Sequence, residues 1–444
     1  MQQDHQALQW AADLGKDWSL IESLLPQDWQ SKARELGAFR RCGAIANARA
    51  LLQVLLIHLG QGCSLRETAV QARLAGIAHL SDVALLKRLR SCSGWFEWLG
   101  QQLRQAPELR CGTSASQSPL LAGRRLYAVD GSVISEPGAT GSQWRLHYAI
   151  ALPDLRCQQV HLGSSSQGES FKRFAVRPGD ILMADRGYAH PGGIAHVRAQ
   201  GGDAIVRLNL LTLPLYEPTG SAGVLQRLDI LEKARTLKAG QAGSWPAWVH
   251  PKSGKGAKQA AAPGAEHNAE TGAIEGQLCI IGKSGPAAAK ARARVRRESQ
   301  RGGTQVQAQT LGAADYVFVF TTLQDIQAEQ VLELYRLRWQ VELEFKRLKS
   351  LLGLGHLKKH DAQAACSWLQ GKLLVALLIA RLIAHAERVS PWGYEIARVQ
   401  QATRALSVAG DGVDARVAVP GSDAADGVVR DPAMLERGAK ARSE

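Results

Sequence analysis

Residues 335–349 read YRLRWQVELEFKRLK. At 100° per residue, the spacing predicts one continuous helix with two adjoining stripes. With Tyr335 as zero, Arg338, Glu342 and Lys349 fall at about −60°, −20° and −40°, and Trp339 and Lys346 flank them at about 40° and 20°. Leu334, Leu337, Val341, Phe345, Leu348 and Leu352 fall between about 200° and 280°, a stripe fit to pack on a core. A phenol, a guanidinium, a carboxylate and an ammonium therefore look the same way, beside a buried face. Solvated helix faces also carry mixed charges, so the stripe gains meaning only with partners elsewhere.

Two aspartates upstream supply them. LYAVDGSVI (126–134) predicts a strand that carries Asp130 between Val129 and Val133, followed by Gly131 and Ser132. GDILMAD (179–185) predicts another strand closing at Asp185, followed by Arg186, Gly187 and Tyr188. Taken singly, each suits a turn, since Asp-Gly is a hairpin signal. Taken with Glu342, three carboxylates from two strands and a helix can hold two divalent cations roughly 4 Å apart. Such a pair activates a water or a 3′-hydroxyl and stabilises the leaving oxygen of an in-line phosphoryl transfer. Magnesium suits these hard oxygens and keeps positions open for phosphate, with manganese as the alternative.

The pattern Tyr-x2-Arg-x3-Glu-x6-Lys, held by Tyr335, Arg338, Glu342 and Lys349, resembles the YREK signature of a group of bacterial insertion-sequence transposases with a DDE active site. The resemblance spans roughly 124–388. It places the first Asp in Asp130-Gly131-Ser132, the second in Asp185-Arg186-Gly187-Tyr188 and the Glu at Glu342, with a β-rich insertion between the last two. It implies a ribonuclease-H-like catalytic domain that binds inverted-repeat ends, cuts them and joins them to target DNA, acting as a homodimer on double-stranded DNA. It also implies that Asp130, Asp185 and Glu342 are the catalytic metal ligands and that Tyr335, Arg338 and Lys349 hold DNA phosphates, with Trp339 and Lys346 on the same DNA-facing side. After about Leu406 the text departs from the family's pattern, which keeps a second function in view: a catalytically silent DNA-binding relic or regulator. A plain nuclease with the same core is a third.

Composition is consistent with a polyanionic partner. The 444 residues carry a formal net charge of +14 and a pI near 9.6, and the charge is clustered, with six basic residues against one acidic in Lys290–Arg301. Seven cysteines include no CxxC pair, so neither a zinc site nor a disulfide framework is expected. The N-terminus shows no signal pattern, and the apolar run Leu373–Ala380 is short of a membrane span. The expectation is a cytoplasmic, nucleoid-associated protein with no membrane association.

The chain divides, on texture, into six parts. Residues 1–105 read as helical, with Ser64 and Glu67 making a capping box. There, two helices joined by a Gly-containing turn and ending in Lys87, Arg88 and Arg90 suit a DNA-reading helix-turn-helix or an ordinary helical hairpin. Residues 106–123 read as a linker, 124–209 as the first part of the catalytic core, 210–313 as a β-rich insertion and 314–390 as the second part of the core. Residues 391–444 read as a partly disordered tail. The fold class expected is α/β, a ribonuclease-H-like core with a β-rich insertion and an all-α N-terminal DNA-binding domain.

Overall fold

A computed structural model describes residues 18–106, 121, 123–134, 144–152, 154–219, 224–250, 266–268, 272–355, 357 and 361–389. The expected tail at 391–444 and most of the expected linker at 106–123 lie outside these residues. After helical residues 18–23 come α1 (Trp29–Glu35), α2 (Ala48–Gln61), α3 (Leu65–Leu74), α4 (Asp82–Arg90) and α5 (Ser93–Arg104). Local chemistry sets their starts. Asn47 accepts from Ala50 N ahead of α2, and Ser64 and Glu67 cap α3 reciprocally.

Strands β1 (Arg125–Ile134), β2 (Trp144–Leu152) and β3 (Arg156–Ser164) follow as an antiparallel meander. Then β4 (Asp180–Ala184), α6 (Pro191–Ala199) and β5 (Asp203–Arg207) alternate, with β4 parallel to β1 and β5 parallel to β4. Side chains alternate across the sheet. Ile181 and Met183 enter a core on one face, while Leu182 and Ala184 enter a second core on the other. Both faces are covered, which is why these strands read as near-continuous apolar runs.

The insertion departs from expectation in two ways. Its strands are β6 (Tyr216–Pro218), β7 (Val224–Arg227), β8 (Ala242–Val249), β9 (Glu266–Asn268) and β10 (Ile274–Gly282). They do not form a sheet apart: β11 (Tyr316–Thr321) pairs with both β5 and β10, giving one eleven-stranded sheet in the order β3-β2-β1-β4-β5-β11-β10-β8-β6-β7-β9. Glycine makes the seam close, since a Cβ at Gly276 would strike Thr321 O on β11. The Gln277 amide then ties β10 to the following loop through Leu323 O and Ile326 O, each at 2.8 Å.

The second departure is the basic segment. A short α7 (Ile230–Arg235) precedes β8, and after β10 residues Gly285–Arg301 form α8, a 17-residue helix in which Ala288 is the buried residue. An almost wholly polar helix shows no apolar stripe, so periodicity could not reveal it.

After α9 (Ala308–Ala313) and β11, the organising stretch folds as two helices, α10 (Ala328–Arg336) and α11 (Trp339–Ser350), and not as one. Between them Leu337 N donates to Leu334 O at 3.0 Å and Arg338 N to Tyr335 O at 3.1 Å, a tighter i to i+3 turn. Both residues keep right-handed φ and ψ, so no proline or glycine announces the break. The predicted apolar stripe survives it: Leu334, Leu337, Val341, Phe345 and Leu348 are all buried.

The last helix, α12 (Ala362–Val389), packs on α2, α4, α5 and β3. Its Ala362–Ala386 portion, with mean hydropathy 1.6, is long and apolar enough to cross a membrane by length and composition. The short apolar run read from sequence thus understated it. In the fold this helix lies against protein, with Trp368, Leu369 and Leu374 buried in the core that also holds Leu51, Trp95 and Phe96. The N-terminal helices and the sheet therefore share one hydrophobic core.

Candidate active site

Register brings the two aspartates together. Strands β1 and β4 pair in parallel from Arg125 opposite Asp180 to Ala128 opposite Met183, and two residues beyond the last pair Asp130 and Asp185 lie near enough for their charges to interact. Neighbouring strands lie about 4.8 Å apart. Parity decides which way they look: Asp130 follows Leu126 and Ala128, and Asp185 follows Ile181 and Met183, all four in the core shared with α10 and α11. Just past each strand position, a glycine N–H locks the carboxylate. Gly131 N donates to Asp130 Oδ1 at 2.7 Å and Gly187 N to Asp185 Oδ1 at 2.8 Å.

Helix α11 packs across β1 and β2 on this same face, with Phe345 against Tyr148, ring centroids 5.8 Å apart. Tyr148 is the β2 partner of Asp130, so the packing holds the helix over the aspartates. Arg338 Nη2 then pairs with Glu342 Oε1 at 2.5 Å, and its guanidinium lies 5.8 Å from the Tyr335 ring centroid. Burial works against the Arg338 charge, but Tyr335, Glu342 and Asp130 more than offset it and raise its pKa. Arg338 thus stands electrostatically between Glu342 and the aspartates.

Burial and like charge weigh on the first aspartate. Burial, and then the like charge of Asp185, push the Asp130 carboxyl up to about 7. Tyr335 is pushed up to about 12 by burial, with Arg338 opposing. The donors at hand are oxygens, a set suited to a divalent cation. Among the described residues, no three His, Cys, Asp or Glu side chains are arranged to enclose a metal ion; Glu342 is held by Arg338 instead. The two aspartates fit a cation's first ligands.

A stability test follows from this crowding. Asp130→Asn removes a carboxylate that the fold penalises when ionised, so the metal-free variant should be more stable than the parent at pH 8 by about 1–2 kcal/mol. The sign is fixed by the raised pKa. The penalty is full above about pH 7, where Asp130 is ionised in both folded and unfolded chains, and it shrinks as pH falls from 7 toward about 4. Denaturant melts of metal-free protein at pH 8 and pH 5 check it; an equal gain at both values removes this explanation.

The other residues named from sequence divide into two groups. On α11, Trp339 is 45% exposed, and Lys346 and Lys349 are exposed on later turns. Lys87, Arg88 and Arg90 sit apart from the carboxylates, on α4. There Lys87 is exposed, Arg88 donates to Arg41 O at 3.1 Å, and Arg90 pairs with Asp361 at 3.0 Å.

Sequence reasoning missed several neighbours of the site. Glu169 lies close enough to Asp185 for its pKa to be raised, by burial first and then by that charge, and it pairs with Arg145 at 3.3 Å. His147 faces Tyr188 Oη at 3.2 Å and is pushed down to about 4 by burial and by Arg173, Arg145 and His161, so it is neutral at physiological pH. Arg186 and Lys283 are both lowered, by burial and then by Arg207, a group of crowded cations beside Asp185. Glu169 sits in the loop text Gly168-Glu169-Ser170, where no periodicity or motif singles it out.

An acidic centre with one aspartate within β1 and the other just past the end of β4, roofed by an arginine-bearing helix in a basic chain, suits a protein that handles a polyanion. Comparison supplies the particular family. The domain described as "Transposase DDE domain" matches residues 122–378. The chain is 34% identical over 372 residues to the putative transposase InsL of insertion sequence element IS186A from Escherichia coli K12, covering 83% of this chain and 94% of that protein. It is also 34% identical over 373 residues to the transposase of insertion sequence element IS421 from Escherichia coli, with the same coverage of each chain. The chain belongs to the DDE transposases. Such enzymes cleave DNA and transfer its strands, and as a family they generally use a divalent metal. Among solved structures, a piggyBac transposase synaptic complex with hairpin DNA aligns with TM-score 0.40 and 10% identity, over 88% of this chain and 76% of that one, a likeness too slight to carry an argument.

Proposed function

We propose that this DDE transposase belongs to the YREK group and acts as a homodimer on the inverted-repeat ends of an insertion sequence, with Asp130, Asp185 and Glu342 as its catalytic carboxylates. The observation that carries this reading is the closeness of Asp130 and Asp185, just beyond the paired stretch of β1 and β4 and under the helix that bears Glu342. The order β3-β2-β1-β4-β5, with a meander followed by two parallel strands, supports a ribonuclease-H-like core. The carboxylates would hold two Mg2+ ions, with Mn2+ as a substitute, and the ions would activate the attacking oxygen and steady the leaving one.

The protein's own groups do the rest. Arg338 would take a DNA phosphate next to the carboxylates, with the buried Tyr335 ring beside its guanidinium, and the arrival of that phosphate would compete with Glu342 for the guanidinium. Trp339, Lys346 and Lys349, exposed along α11, continue the contact along the DNA. Neutral His147 holds Tyr188 without adding charge to the site. A cytoplasmic, nucleoid-associated location and a helical region that reads the transposon end complete the proposal.

Cleavage and joining are tested together, by incubating the purified chain with labelled transposon-end DNA, target plasmid and Mg2+. Cut ends that become joined support the reading. Cleavage without joining makes the protein a nuclease, and binding without cleavage makes it a DNA-binding relic.

End recognition has its own test, made on the full chain because the N-terminal helices share their core with α12. Replacing Lys87, Arg88 and Arg90 together with alanine should weaken end binding and flatten its salt dependence by about 0.9 for each DNA phosphate no longer neutralised. Arg90→Ala also removes the ion pair to Asp361, so a melt of the same variant separates weaker DNA binding from a damaged fold. An unchanged affinity and slope would move recognition elsewhere in the chain.

A further inference from the structure

Helix α8 buries almost nothing, yet its two sides differ. Pro286 opens it, and alanine and arginine, both strong helix formers, fill most of the rest. Its seat is narrow: Ala288 is buried, Val295 and Ser299 are half-buried, and Arg292 pairs with Asp315 at 2.5 Å. At 100° per residue, Val295, Ser299 and Arg292 all fall within about 40° of Ala288, which defines the inward face. Lys290, Arg294, Arg297 and Arg301 fall at about 200°, 240°, 180° and 220°, on the opposite face. All four are exposed. Their spacing sets them in one row about 16 Å long. The acidic residue beside the row, Glu298, pairs with Arg294 at 2.8 Å, and the outward face keeps a positive excess.

The row also lies close to the carboxylates. Arg186, the residue after Asp185, is within reach of the charges of both Glu298 on α8 and Tyr335 on α10. Lys283, just before α8, feels Arg207 and Arg186, and its Nζ donates to Ala314 O at 2.7 Å, at the end of α9. Helix α9 packs on α8 and rests Ala313 against the core on the sheet face away from α10 and α11. The aspartates thus stand between two basic helices, α11 over one face of the sheet and α8 tied to the other.

Core stability does not account for a 17-residue helix with one buried residue. A membrane surface calls for bulky apolar residues beside the cations, and α8 holds no aromatic residue and no leucine. A straight row of cations suits the regularly spaced phosphates of a DNA strand. We propose that Lys290, Arg294, Arg297 and Arg301 form a second DNA contact of this transposase, gripping phosphates of the duplex that flanks the cleavage point, whatever its base sequence. The position of the grip rests on the reading that Asp130 and Asp185 mark the cleavage point; the grip itself does not.

Two neighbouring arginines test it. Arg297 lies on the outward row, and Arg296, also exposed, lies about 100° round from it. In gel shifts of the full chain without metal, Arg297→Gln should flatten the salt dependence of duplex binding by about 0.9, while Arg296→Gln leaves it unchanged. Replacing all four row residues with glutamine, a good helix former, should flatten it by about 3–4 and weaken binding about 10-fold or more. That loss should be equal on a transposon end and on an unrelated duplex of the same length. Ethylation interference then locates the contact: flanking phosphates whose ethylation blocks the parent should lose their effect in the fourfold variant, and those nearest the cut should keep theirs. Circular dichroism and a melt check folding, and the single Arg297→Gln decides if the fourfold variant is damaged.

Equal effects of Arg296→Gln and Arg297→Gln would reduce the row to general charge. Unchanged affinity and slope in the fourfold variant would remove α8 from the DNA. A loss confined to the transposon end would make α8 a reader of sequence and overturn the sequence-independent grip. Interference lost nearest the cut instead of at the flank would overturn the placement. A parent that binds through the row but leaves transposon ends uncut with Mg2+ would sink the catalytic reading and leave the α8 contact standing.

Discussion

Glu342→Gln is expected to lower cleavage of transposon ends by about 10³-fold or more while leaving end binding within about threefold of the parent. Glutamine keeps the length and the hydrogen-bonding oxygen but is a poor ligand for a hard cation, so the loss falls on chemistry. Binding has a reason to hold, or even to tighten. The parent glutamate occupies Arg338 at 2.5 Å, and a neutral amide releases that guanidinium to a DNA phosphate. Both quantities should be read on one preparation, by gel shift without metal and by strand cleavage with Mg2+. If Glu342→Gln cuts at the parental rate, α11 is no more than a charged surface.

Arg338→Lys should lower cleavage by about 10²-fold and end binding by no more than about threefold. The structure gives Arg338 three charged or aromatic neighbours at once: the Tyr335 ring, the Glu342 carboxylate and the field of Asp130. A planar fork can serve a ring face and two oxygens together, whereas an ammonium is a single point charge on a flexible stem. Overall binding is spread over many other basic residues, including those of α8, and is buffered against one change. The expected signature is therefore a separation between the two assays. Equal losses in cleavage and in binding would reduce Arg338 to an ordinary phosphate ligand.

The melt of Asp130→Asn and the cleavage of Glu342→Gln bear on opposite sides of one design. Like charges held together at Asp130 and Asp185 are a cost to the fold, tolerated where they create an affinity for cations. A variant that is more stable and inactive would be the mark of that trade.

Much of this was legible in the residues themselves. Apolar runs announced β1 and β4, because strand periodicity is a local property and the sheet is buried on both faces. The Ser64–Glu67 capping box was readable three residues apart and is formed as expected. Tyr335, Arg338, Glu342, Asp130 and Asp185 were singled out by residue type, spacing and resemblance to the YREK transposases, and spacing alone showed the apolar stripe that seats α10 and α11 on the core. Tertiary structure alone decided the remainder. Whether the insertion stands apart or extends the sheet depends on which edge β10 and β11 find, a choice between strands more than a hundred residues from β1. The break at Leu337–Arg338 carries no proline or glycine and is marked only by its i to i+3 hydrogen bonds. Helix α8 buries little, so its sequence had no apolar stripe to show. Glu169 reaches the aspartates through the empty space of two glycines on other segments, and absent side chains from distant segments leave no mark on the residue that fills their place.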